Sequence, residues 1–173
     1  LESNLGYELP DYNVPPGYTP QTYLEKICNE TAFRKYGSIA PTVRERLDME
    51  CELIRERPLA GFFLIYYEVI QMAREAMIDL GFGDPEIPLE ERPPGTGRGS
   101  SVAMLIGYLI GLSHIDPMKY NLGLDRFLNG EMGDAPDIDL DFPRNIREEL
   151  IKRVHERYGW KRAALTGAIS TYK

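Results

Sequence analysis

Three aspartates stand at every second position of APDIDLDF, residues 135–142, with Ile138, Leu140 and Phe142 between or after them. Side chains alternate faces along a strand, so Asp137, Asp139 and Asp141 share one face and the apolar residues share the other. Like charges lined up this closely repel, and burying them unpaired is costly or shifts their pKa values. The aspartate face therefore requires a positive partner, which has to be lysine, arginine or metal.

A second motif precedes it. GTGRGSS, residues 95–101, runs directly into SSVAMLIGYLIGL, an almost wholly apolar stretch that reads as a buried helix with Ser100 or Ser101 as its N-cap. Glycines let a backbone approach a ligand closely, and a helix N-terminus offers free amides at the positive end of its dipole. Arg98 and the hydroxyls of Ser100 and Ser101 add donors suited to phosphate. The string is not a Walker loop, since no GK[ST] follows, and not the dinucleotide GxGxxG, since Ser100 stands in place of the last glycine. A serine-capped glycine turn with no ligand would look the same, and an Asp-X-Asp pair alone fits a salt-bridge ladder. Together the two motifs supply what divalent-metal phosphoryl transfer needs: a phosphate cradle, and neighbouring carboxylates able to bridge two ions about 3.5–4 Å apart.

Composition restricts the alternatives. The 173 residues, 43% hydrophobic and 27% charged, are those of an ordinary globular domain, alone or with a connecting segment. No apolar run reaches membrane-spanning length, and LESNLGYELP lacks the basic start and apolar middle of a signal peptide. Cys28 and Cys51 form neither metal spacing nor a disulfide framework, which sets a cytoplasmic expectation. A net charge of −7 argues against a basic nucleic-acid binder, yet residues 144–173 hold eight basic residues against three glutamates. That end carries +5, and residues 1–143 carry −12.

The remaining elements are mostly helical. Four prolines in residues 1–20 suggest an extended lead-in. A helix opens at Pro20, with Leu24, Ile27, Cys28 and Thr31 or Ala32 on one face and Gly37 at its stop. A second runs from about Pro41 to Arg57 on Val43, Leu47, Cys51 (or Glu50) and Ile54. AGFFLIYYEVIQMAREAM reads as a third, mostly buried helix whose aromatic and β-branched start also fits a strand. Residues 79–97 read as a loop, and Asp116-Pro117 as a turn opening another short helix. NIREELIKRVHERYG is an amphipathic helix on Ile146, Leu150, Val154 and Tyr158, and AALTGAIS fits a closing strand. His114 and His155 have no matching metal partners and read as structural or surface residues.

In order and spacing, GRGSS, IDPMKYNLGLDRFLN and PDIDLDF resemble the palm of bacterial family C DNA polymerases, the DNA polymerase III alpha subunits. The similarity extends through LAGFFLIYYEVIQMAREA and REELIKRVHERYG, over roughly residues 17–173. KRAALTGAISTYK and VPPGYTPQTYL look more like the error-prone, DnaE-type branch than the main replicase. The resemblance implies an α+β fold in which a helical N-terminal segment leads into a nucleotidyltransferase-like (polymerase beta-like) palm, incomplete in this chain. Residues 1–58 would be linker and helical segment after a PHP domain, and 59–173 the first part of the palm.

By the same resemblance, Asp137 and Asp139 hold the catalytic metals, two Mg²⁺ ions in a complete site. Asp141 supports the strand or a neighbouring basic side chain. Gly97, Arg98, Gly99, Ser100 and Ser101 grip the phosphates of the incoming deoxynucleoside triphosphate (dNTP). Arg126 lies near them or pairs with Asp125 or Asp116. The implied partners are primer-template DNA and dNTPs, with Arg153 and Arg157 as candidate DNA contacts or as solvated charges balancing Glu148, Glu149 and Glu156.

Departures from the family are an insertion around residues 79–94, and Gly130 and Met132 where proline and arginine commonly follow RFLN. The family's third catalytic aspartate and its thumb and fingers lie beyond Lys173, so the chain reads as a palm fragment, inactive in isolation, of a DNA-directed DNA polymerase. The competing reading is a non-catalytic phosphate- and DNA-binding or scaffolding module derived from such a palm.

Overall fold

A computed structural model describes residues 12–124 and 138–164, with Ser100 and Ser101 described by their backbone alone. Residues 1–11, Arg126, Asp137 and nearly all of the expected closing strand lie outside the described residues.

The first three helices follow from local rules. Helix α1, Pro20–Tyr36, starts with proline in its first turn behind Thr19, whose hydroxyl accepts from the Thr22 amide, and it stops at Gly37, with φ of 69°. Helix α2, Pro41–Glu56, again opens on proline. Helix α3, Ala60–Asp79, resolves the ambiguous aromatic start in favour of helix. The expected stripes are the buried ones: Leu24, Ile27, Cys28, Thr31 and Ala32 on α1, and Val43, Leu47, Glu50, Cys51 and Ile54 on α2. Phe63, Leu64 and Ile70 of α3 complete the main core with Met104 to Ile106, Leu109, Ile110 and Leu112. That core runs across residue 58 without a break, and Tyr12 and Val14 of the lead-in pack against it. Burial and the Glu68 carboxylate push the Tyr12 hydroxyl up to about 12. Burial likewise raises both thiols, leaving Cys28 and Cys51 as inert core residues.

The second half departs from local expectation in three places. Thr96–Gly99, expected as loop, is strand β1, antiparallel to β2, Ile138–Asp141. The long buried helix expected from Ser100 is instead a 3₁₀ turn, Ser100–Ala103, followed by the five-residue α4, Leu105–Leu109. Met104, not a serine, precedes α4, and no side chain of its own caps it. Gly111 adopts a left-handed φ of 83° and ends the apolar run, which lets Leu112 turn back and accept from the Gly97 amide at 2.5 Å. After Asp116-Pro117 the chain makes turns rather than a helix. The Asp116 carboxylate accepts from the Met118 amide at 2.9 Å and from the Tyr36 hydroxyl at 3.0 Å.

Helix α5, Arg147–Tyr158, follows a 3₁₀ turn at Arg144–Ile146. Ile146 of the turn and Leu150 of the helix are buried against Ala73 and Ala76 of α3, with Phe142 and Val154 packed around them. The segment after α3 is tied down by basic side chains. Arg74 donates to the carbonyls of Pro85 and Ile87, and Lys35 donates to that of Glu90. Among the described residues, no helix is long and apolar enough to cross a membrane. Among the described residues the architecture is α+β: helices carrying a two-stranded antiparallel sheet.

Candidate active site

The sheet brings the two motifs together. In its register Arg98 stands opposite Asp139, Thr96 opposite Asp141, and Gly99 opposite Ile138. Cross-strand neighbours share a face, so the Arg98 guanidinium reaches over the aspartates. Its Nε and Nη2 donate to the two carboxylate oxygens of Asp141 at 2.5 and 3.1 Å, a two-pronged fork. Nη1 lies 3.7 Å from Asp139, near enough for charge attraction and too far for a hydrogen bond. The Asp141 hydrogen bond and charge, followed by the charge of Asp139, hold the guanidinium above its ordinary pKa. The positive partner demanded by the aspartate face is therefore arginine for Asp141, the supporting role expected of that residue.

Asp139 is different. Its side chain is 58% exposed, and Arg98 at 3.7 Å is its ion-pair partner among the described residues. Hard divalent cations need carboxylate oxygens not already committed to donors, and Asp139 supplies them. No group of three His, Cys, Asp or Glu residues suited to a metal occurs among the described residues. Asp137, the expected second ligand, lies outside them, as does Arg126.

Both strands are anchored from behind. The Tyr66 hydroxyl of α3 donates to the Ile138 carbonyl at 3.1 Å. On its other edge β1 is held by Leu112, and the His114 ring nitrogen Nε2 lies 2.6 Å from the Gly95 carbonyl. His114 is thus a structural histidine. So is His155, buried and stacked on Trp160. A cavity of about 740 Å³ opens where β1 ends, lined by Gly99, Val102, Ala103, His114, Ile115 and Tyr120 among others.

One expectation fails for a definite reason. The helix N-terminus behind the glycine motif is not open to phosphate, because Glu50 of α2 already accepts from its amides. Leu105 N–H donates to Oε1 at 2.9 Å and Ile106 N–H to Oε2 at 2.8 Å. Sequence alone flagged Glu50 only as a buried-face alternative to Cys51. Its amide partners lie 55 and 56 residues away, beyond the reach of any local pattern.

The two candidate DNA contacts are engaged within the chain. Arg153 donates to Glu149 at 2.8 Å and to Asp79 at 2.7 Å, with Glu75 at 3.6 Å. Arg157 donates to Glu68 of α3 at 2.7 Å, and the Tyr158 hydroxyl donates to the same carboxylate. The pairs with Glu75, Asp79 and Glu68 clamp α5 onto α3, while the pair with Glu149, one of the expected balancing glutamates, lies within α5.

Comparison with known proteins agrees with the motif spacing. Residues 22–173 match the family described as the bacterial DNA polymerase III alpha NTPase domain. The chain is 36% identical over 171 residues to an error-prone DNA polymerase of Burkholderia mallei, covering 98% of this chain and 15% of that protein. It is 34% identical over 165 residues to the error-prone DNA polymerase of Cutibacterium acnes, covering 95% of this chain and 13% of the relative. With that of Pseudomonas savastanoi the identity is 33% over 169 residues, 97% of this chain and 15% of the relative. The chain thus spans about one seventh of the length of the relatives it matches. A glycine strand paired to an aspartate strand, inside a match that runs almost from end to end, places this chain in the bacterial DNA polymerase III alpha family.

Proposed function

We propose that the chain forms part of the palm of a DNA-directed DNA polymerase with a nucleotidyltransferase-like fold, and that the β1–β2 sheet is its catalytic platform. The observation carrying this reading is the register that sets Arg98 across from Asp139 while leaving the Asp139 carboxylate open. The reaction is template-directed: a primer 3′-hydroxyl attacks the α-phosphate of a dNTP and pyrophosphate leaves. Asp139 and Asp137 would hold the divalent cations, two Mg²⁺ in the full site. Bound there, such ions would supply positive charge to the triphosphate and would acidify the attacking hydroxyl. Asp141 orients Arg98, which presents its guanidinium at the edge where the triphosphate lies. Gly97 and Gly99 offer the close-approach backbone beside it, and Ser100, Ser101 and Arg126 are assigned to the same phosphate grip by the family resemblance alone. The cavity past Gly99, with the Tyr120 ring in its wall, suits the sugar and base of the same nucleotide. The protein contributes positioning and charge neutralisation rather than covalent chemistry.

The test is Arg98→Ala in the complete polymerase carrying these residues. It should weaken dNTP binding by about tenfold to a hundredfold, the usual cost of one charge-assisted hydrogen bond, with primer-template affinity retained. Equal loss of both affinities would assign the loop a folding role and remove the reading.

Arg153 and Arg157 can serve as DNA contacts only by leaving their carboxylates on α5 and α3. Charge reversal at both is therefore expected to lower the melting temperature and leave the salt dependence of primer-template affinity unchanged. Were either residue bound to a DNA phosphate, its reversal would instead flatten the slope of log affinity against log salt by about 0.9. A flattened slope would make these residues DNA contacts.

A further inference from the structure

Glu50 is a carboxylate with no exposure to solvent, set in the apolar stripe of α2 between Leu47, Cys51 and Ile54. Burial pushes its pKa up, while Arg46 and the amides of Ile106 and Leu105 pull the other way. Burying a charge this completely is unfavourable unless its oxygens are satisfied, and a well-packed apolar residue of similar volume is often as stable or more so. The hydrogen bonds show what the charge does here. Oε1 accepts from Arg46 Nε at 2.6 Å and from the Leu105 amide, and Oε2 accepts from the Ile106 amide. Arg46 in turn donates through Nη2 to the Ala103 carbonyl at 2.9 Å.

The two side chains thus bind both polarities of one short segment: a carbonyl at Ala103 and two amides at Leu105 and Ile106. That segment begins four residues after β1, joined to it by the 3₁₀ turn Ser100–Ala103, which continues directly from Gly99. A five-residue helix with no cap of its own cannot hold this position by local structure. The strand at one end and the Arg46–Glu50 pair at the other fix the turn between them.

We propose that Arg46 and Glu50 are positioning residues for dNTP binding: from α2 they set the place of the Gly99–Ala103 turn and so the grip on the triphosphate. This rests on the phosphate-binding role proposed above for that turn. Neither side chain needs to touch the nucleotide.

The experiment uses the complete polymerase with Glu50→Gln, Arg46→Lys and Glu50→Asp, and Arg98→Ala as reference. Glutamine keeps one acceptor oxygen and loses the other with its charge. Lysine keeps the charge without the planar fork that serves Glu50 and Ala103 together. Both variants should raise the KM for dNTP about tenfold with primer-template Kd unchanged, and Glu50→Asp, with both acceptors, should recover part of the loss. If Arg98→Ala raises the dNTP KM and the folded Glu50→Gln and Arg46→Lys proteins do not, the positioning role is overturned and the phosphate-binding reading stands. If none of the three raises it, both fall. Parallel loss of dNTP and primer-template affinity in the Glu50 and Arg46 variants would reduce the pair to a folding element and overturn the proposal. Should Glu50→Gln fail to fold, Arg46→Lys decides by the same criteria.

Discussion

Replacing Asp139 by asparagine in the complete polymerase is expected to lower primer extension on the order of a thousandfold or more with the fold unchanged. The two halves of this expectation have separate grounds. The fold is spared because the side chain is 58% exposed and Arg98, its neighbour at 3.7 Å, is anchored on Asp141 rather than on Asp139. Asparagine has the same size, and surface changes of this kind stay within about 0.5 kcal/mol. On the proposed reading, activity would be lost because asparagine removes one negative charge and one hard oxygen ligand from the open position on the sheet. Asp141→Asn is the contrast. Its carboxylate is already occupied by the Arg98 fork, so its loss should act through arginine orientation and be smaller. Steady-state incorporation and the melting temperature, measured on both variants, check the prediction. Most of the activity surviving in Asp139→Asn would mean that a different carboxylate carries the chemistry.

How much of this site the sequence disclosed depends on how local each cause is. The α1 and α2 stripes were legible because burial there follows a helical period and the punctuation is local: Pro20 and Pro41 at the starts, Gly37 at the end of α1. The aspartate alternation was legible for the same reason in a strand. It also posed the question of a positive partner, and for Asp141 the answer, Arg98, lay within the second motif. The pairing itself was not legible. TGRG has the composition of a turn, and only the 43-residue separation closed by the Arg98–Asp141 fork reveals it as a strand.

The overlong helix expected from Ser100 shows the opposite error. An apolar string announces burial but not continuity, and Gly107 and Gly111 within it were the available warning. Gly111 ends the helix in a left-handed turn that sends Leu112 back to the β1 edge. Glu50 shows a third kind of limit. A charged residue in an apolar stripe signals an unseen partner, yet nothing local says which backbone it satisfies. The basic C-terminal end was visible as composition, whereas its neutralisation by α3 carboxylates required the helix pair to be in place.

Gly95→Ala should cost about a hundredfold in kcat/KM for dNTP incorporation although the residue touches no substrate. A Cβ at Gly95 would stand 2.5 Å from the Asp141 carbonyl oxygen and 2.7 Å from the Phe142 ring. Neither neighbour can step aside freely. The first is backbone of β2, and the second packs against the cluster formed by Ala73, Ala76, Ile146 and Leu150. Gly95 itself is fixed by the His114 nitrogen on its carbonyl at 2.6 Å. The clash must therefore be relieved by moving β1 against β2, which displaces Arg98 from the aspartates. A shift of about 1 Å at a reacting centre is enough for a loss of that size. Gly61→Ala is the control, because nothing lies within 4 Å of its added Cβ on α3. There alanine should stabilise the helix by about 0.5–1 kcal/mol and leave catalysis alone. If Gly95→Ala keeps near-normal kcat/KM, the spacing of the two strands does not govern the reaction, and the sheet is a scaffold for a site assembled elsewhere.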